Sequence, residues 1–101
     1  MGYILKDKVA NINGGGSVTI TIVNNTIPVP AGNFLEAIVL IPSNADTIDI
    51  GTTPGGTEIE EDFSLTANEN NTVIVQLRFS TSATIYFTGF TGNAQAILYF
   101  R

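Results

Sequence analysis

Cysteine, histidine and tryptophan are all missing from the chain, and basic residues are almost missing. Without cysteine there is neither a disulfide framework nor a thiolate metal site. Without histidine and cysteine, Ser-His-Asp and Cys-His arrangements are excluded, and so are histidine-based zinc sites. Only carboxylate chemistry is left for catalysis, as in a glycosidase pair. The four bases, Lys6, Lys8, Arg78 and Arg101, are scattered against nine acids, for a net charge of −5. Nucleic-acid binding usually starts from a basic stripe that displaces counterions from phosphates. The sequence therefore speaks against DNA or RNA as a partner. No apolar run approaches the roughly 20 residues of a membrane-spanning helix. The opening Met1-Gly2-Tyr3-Ile4-Leu5-Lys6-Asp7-Lys8 lacks the apolar core of a signal peptide. The expectation is a soluble product made without a classical export signal, with no membrane partner.

Charge of either sign is scarce, at 13% of residues against about 25% in typical soluble domains. Thr, Asn, Ser and Gly must supply the polar surface instead. Two compatible consequences follow. The exterior is neutral and polar, or part of it is buried between copies of the chain. At 101 residues the chain suits one domain with one core, expected to span residues 1–101.

What the sequence does contain is period-two alternation in short stretches, the mark of half-buried strands. Over residues 17–23, Val18, Ile20 and Ile22 share a face, and Ser17, Thr19 and Thr21 share the other. Over 72–80, Val73, Val75, Leu77 and Phe79 point inward, while Ile74 joins Gln76, Arg78 and Ser80 outside. At the end of the chain Ala94, Ala96, Leu98 and Phe100 alternate with Gln95, Ile97, Tyr99 and Arg101. Residues 34–41 are apolar on both faces except at Glu36. Such a run suits a strand covered on both sides, and its β-branched residues and bracketing prolines favour strand over helix. Shorter strands are expected at 47–50, 60–66, 83–87 and 3–9. Between them stand turn signals such as Asn24-Asn25, Pro28-Val29-Pro30-Ala31-Gly32, Pro54-Gly55-Gly56 and Gly89 to Gly92. Eight short strands with a turn about every ten residues imply an all-β, antiparallel β-sandwich. Eight strands without hallmark Cys or Trp favour a jelly roll.

Acids cluster at Glu58, Glu60, Glu61 and Asp62, with Asp46 and Asp49 before them. They fit a solvated strand edge, where charge discourages edge-to-edge pairing. They also leave open an oxygen-ligand calcium site or an acid pair. The glycine-rich 51–57 lacks the lysine of a phosphate loop, and Gly14-Gly15-Gly16 precedes a strand where such a loop should open a helix. Both read as turns. Asn24-Asn25-Thr26 and Asn70-Asn71-Thr72 match the N-glycosylation pattern, which carries little weight without an export signal. Phe90, between Gly89 and Thr91 on a turn, is either tucked onto the core or offered to a partner. Outward apolar positions make Phe34, Ile74, Phe90, Ile97 and Tyr99 the candidate interface residues.

Two passages carry a resemblance. One is Ile38-Val39-Leu40-Ile41-Pro42 followed by Asp46-Thr47-Ile48-Asp49-Ile50-Gly51-Thr52-Thr53-Pro54-Gly55-Gly56-Thr57-Glu58-Ile59. The other is Ala83-Thr84-Ile85-Tyr86-Phe87-Thr88-Gly89 with the closing Gly92-Asn93-Ala94-Gln95-Ala96-Ile97-Leu98-Tyr99-Phe100-Arg101. Together they resemble small bacteriophage structural proteins, over about the last two-thirds of the chain. The resemblance is one of style, and no functional residue carries over from it. It implies a jelly-roll module that decorates a capsid or forms part of a fibre or tail, often as a trimer. The expected function is that of a non-enzymatic virion structural protein, located in the virion and needing no cofactor. Its partners would be copies of itself, as a trimer, and other virion proteins. The alternative is a monomeric carbohydrate-binding module, calcium-assisted through the 58–62 acids, at the cell surface or secreted by a non-classical route. A carboxylate glycosidase using Glu60 or Glu61 is a third reading.

Overall fold

The computed structural model describes residues 16–101, so the strand expected at 3–9 lies outside the described residues. Eight strands follow in order: β1 (Gly16–Thr21), β2 (Thr26–Val29), β3 (Asn33–Pro42), β4 (Thr47–Gly51), β5 (Glu60–Ser64), β6 (Asn71–Phe79), β7 (Ala83–Thr88) and β8 (Ala94–Phe100). They form two antiparallel sheets of four, ordered β1-β8-β3-β6 and β2-β7-β4-β5. The described part of the chain is an all-β sandwich.

One apolar cluster joins the two sheets. Val18, Leu35, Ile38, Leu40, Val73 and Leu98 enter it from the first sheet, and Ile27, Ile48, Ile50, Ile85 and Phe87 from the second. Alternation explains most of this. Val18 on β1, Ile48 and Ile50 on β4, Ile85 and Phe87 on β7, and Ala94, Ala96, Leu98 and Phe100 on β8 are all buried. Leu77 pairs with the buried Leu35 and so faces the core side. It is nonetheless 38% exposed, because β6 is an edge strand and nothing flanks it on one side among the described residues.

Two features depart from a plain reading of the chain. The first is β2, since residues 28–32 read as a turn and yet Thr26–Val29 pairs with β7. A proline inside a strand is tolerated at a sheet edge. Pro28 sits on such an edge, exposed between the buried Ile27 and Val29. The turn proper comes later, at Gly32 with φ of 84°.

The second is a bulge in β3. Pairing with both neighbours shifts between Leu35 and Ala37, and Gln76 opposite adopts φ of 53°. A slip of one residue sends every later side chain to the other face. Uninterrupted alternation from Leu35 would turn Ala37, Val39 and Ile41 into the core. Instead Leu35, Ile38 and Leu40 enter it, each fully buried. Ala37 pairs with the exposed Ile74 and Tyr99, which places it on the outer face of the sheet.

The turns obey local chemistry. Asn24 and Asn25 have φ of 53° and 60°, and the Thr26 N–H donates to the Val23 carbonyl at 3.0 Å. Positive φ at both central residues is the two-residue hairpin geometry that asparagine tolerates.

Candidate functional site

The bulge in β3 builds a face. Because β6, β3 and β8 lie side by side, their outward residues fall into rows across the first sheet. One row is Ile74, Ala37, Tyr99 and Ser17, and the next is Thr72, Val39, Ile97 and Thr19. Ile74 is 57% exposed and Tyr99 41%, and Ile97 is half-buried. Val39, between them, is only 8% exposed. The middle of the face is apolar, and threonine and serine border it.

Charge enters this face at one end. Phe34 pairs with Arg78, whose guanidinium carbon lies 5.9 Å from the ring centroid. The Arg101 guanidinium sits closer, at 4.4 Å. Its Nε–H also donates to Glu36 Oε1 at 2.5 Å, and the Gln76 amide donates to Glu36 Oε2 at 3.2 Å. Glu36, the polar interruption of an apolar run, is thus carried outward at the bulge and given two donors. Those bonds, Arg101 first and then Gln76, hold its carboxyl below the ordinary range.

Phe34, Ile74, Ile97 and Tyr99 therefore lie together on the outer face of one sheet. Phe90 does not join them. It is half-buried against the core, its ring 5.5 Å from that of Phe87 at 54°. This is the tucked arrangement of the two the sequence allowed.

The acids separate into distinct structural tasks. Glu58 folds back over the 51–57 turn, accepting the Thr52 N–H at 2.9 Å and the Thr53 hydroxyl at 2.7 Å. The Thr53 bond is the main reason its carboxyl is held low. Asp49 accepts the Asp62 N–H at 2.9 Å, where Asp62 has φ of 55° and the β4–β5 pairing shifts. Asp46 accepts both the Thr91 N–H at 3.0 Å and the Thr91 hydroxyl at 2.8 Å, tying the β3–β4 loop to the β7–β8 loop. Among the described residues no three of His, Cys, Asp and Glu gather in a group that could hold a metal ion. Sequence reasoning located these acids but missed Thr53 and Thr91 as their partners. Nothing in the local pattern of residues 91 or 53 signals either contact.

Compared with protein-family models, with curated proteins and with solved structures, the chain matches none.

Proposed function

We propose that the chain is a non-enzymatic virion structural protein, a jelly roll that associates with copies of itself into a closed oligomer, with a trimer expected. The observation that carries the reading is the apolar character of β3 on both faces. Its inner face builds the core, and its outer Ala37 and Val39, each 8% exposed, form the floor of an uncharged apolar field whose open surface is Ile74, Ile97 and Tyr99 on the flanking strands. Burying such surface contributes roughly 25 cal/mol per Å² before the cost of association. Copies of one chain meeting through one patch close into symmetric assemblies.

The strand order supports the jelly-roll part. The pairs β1–β8, β2–β7, β3–β6 and β4–β5 are those of one long antiparallel ribbon folded at the β4–β5 turn. The β3–β8 and β4–β7 pairs then join the ribbon into two sheets. Jelly rolls occur in viral capsid and lectin domains. The virion setting rests on that fold-level analogy and on the sequence resemblance to bacteriophage structural proteins.

The test is absolute mass in solution by light scattering after size exclusion, over a tenfold concentration range. A fixed closed oligomer is the expected result. A monomer at every concentration would overturn the reading.

A further inference from the structure

At the end of the first sheet where β3 and β1 finish and β8 begins lies an open cleft of about 440 Å³. Ligand sites commonly fall between about 300 and 1,000 Å³. The backbone around it is fixed. The Asn68 N–H donates to the Pro42 carbonyl at 2.7 Å, the Ser43 N–H to the Asn93 carbonyl at 2.9 Å, and the Ile22 N–H to the Ala94 carbonyl at 3.1 Å. The adjoining loops are braced as well. Asn44 donates to the Thr91 hydroxyl at 2.9 Å, and Thr91 is held twice by Asp46. They approach so closely at Gly92 that a Cβ there would lie 2.4 Å from the Ser43 hydroxyl oxygen.

The side-chain heads along this rigid frame are uncommitted. Among the described residues, the amides of Asn68, Asn93 and Gln95 take no part in hydrogen bonds within the protein. All three are exposed. Each offers two donors and an acceptor. The described lining carries no charge and no aromatic ring, and Ile41 supplies its open apolar part, since Pro42 and Ala94 are buried.

From this composition we infer that the cleft binds a neutral saccharide unit. A hydroxyl group both donates and accepts, so neighbouring hydroxyls on a sugar ring match amides that do the same. The C–H face of the ring suits Ile41, which is half-buried. A phosphate, carboxylate or metal ion would find no opposite charge. Without a ring to stack on, one unit binds in the millimolar range. The cleft adjoins the outer face of the sheet, because Thr21, Gln95 and Ile41 form the row beyond Thr19, Ile97 and Val39. Its test reads sugar binding and the test of assembly reads mass, so failure of either reading is told apart from failure of the other.

The test is a titration of the ¹⁵N-labelled chain, followed by amide chemical shifts. The probes are glucose, galactose, mannose, N-acetylglucosamine and rhamnose, each to about 50 mM, with N-acetylneuraminic acid as the anionic comparison. Saturable shifts at the amides of Ser43, Asn68, Asn93 and Gln95 with a neutral sugar are expected. The Asn93→Ala/Gln95→Ala variant should bind about tenfold more weakly, with its other amides unmoved. Asn68→Ala, on a separate loop, provides a second check. Linear shifts with every sugar, saturation mapped elsewhere, binding confined to N-acetylneuraminic acid, or full affinity in both variants would overturn the inference.

Discussion

Arg101 covers Phe34, its guanidinium carbon 4.4 Å from the ring centroid, and its main-chain N–H donates to the Phe34 carbonyl at 3.0 Å. Glu36 holds the other side of the arrangement by accepting from Arg101 Nε. An aromatic side chain that the sequence offers as an apolar anchor is therefore the base of a charged cluster. The apolar field of the first sheet begins beyond it, at Ile74 and Tyr99. A second copy that docked across Phe34 would have to displace an ion pair, whereas the Ile74 and Ile97 rows ask for no such loss.

That asymmetry makes Ile74 the position to change. Ile74→Lys should convert the proposed oligomer to a monomer while leaving the fold intact. At 57% exposure the substitution is expected to move intrinsic stability by about 0.5 kcal/mol or less. Light scattering reads the mass and circular dichroism the fold. An unchanged oligomer would place the contact elsewhere on the molecule.

Acid should weaken the fold through two carboxylates. Glu36 is held below its ordinary value of 4.5 by Arg101 and Gln76, and Glu58 below its own by the Thr53 hydroxyl and backbone donors. A depressed carboxylate contributes stability that is fully present above its unfolded value and lost as pH falls through the folded one. The melting temperature should therefore hold near neutral pH and drop below about pH 4.5. Glu36→Gln and Glu58→Gln should each melt lower than the parent at pH 7 and converge with it in acid once the carboxylates are protonated, as the sign of the linkage requires. A third of the Glu36 side chain is open to water, so about 1 M salt should narrow the gap for Glu36. A gap that persists undiminished into acid would exclude this origin.

Asn71 ties three segments together. Its amide donates to Leu40 O at 3.1 Å, Thr66 O at 3.0 Å and Glu69 O at 2.9 Å, and its carbonyl accepts the Thr66 N–H at 2.8 Å. Asn71→Ala leaves those main-chain groups short of partners. Thermal unfolding should show a loss of about 1–3 kcal/mol, at roughly 4–8 °C per kcal/mol for a domain of this size. A change within error would mean that water replaces the amide without cost.

The 51–57 turn offers a double-mutant test. The three atoms nearest a Cβ on Gly56 all belong to side chains, Glu58 Oε1 at 2.2 Å, Thr53 Oγ1 at 2.4 Å and Glu58 Cδ at 2.9 Å. On Gly51 it would also meet the main chain of Gly56, at 2.5 Å from the carbonyl carbon. Each alanine substitution should destabilise by about 1–3 kcal/mol. Glu58→Ala should recover part of the Gly56→Ala loss and little of the Gly51→Ala loss, because only the first clash can be removed by shortening a side chain. Equal rescue of both would contradict this geometry.

Much of this molecule is legible in its sequence, for a local reason. Alternation along β1, β4, β7 and β8 names the buried residues directly, because a strand's side chains switch face at every step. The same rule marks Ile74, Ile97 and Tyr99 as outward. Asn24-Asn25 announces its turn because few side chains tolerate positive φ at both positions. The neutral lining of the cleft is visible in composition only as an abundance of asparagine, glutamine and hydroxyl residues.

The tertiary structure decided what depends on neighbours. A run apolar on both faces has no alternation to fix its phase, so which of Ala37 or Ile38 enters the core between the sheets is set by the bulge at Glu36 and its partners on β6 and β8. Whether Pro28 sits in a turn or a strand depends on its strand lying at an edge, where no second ladder needs its missing N–H. Outward residues from β3, β6 and β8 form one face only because those strands are adjacent, and strands far apart in the chain become neighbours through a shared core. Local pattern determined what each strand can bury. Long-range packing determined which strands meet, and with that the faces and clefts left for other molecules.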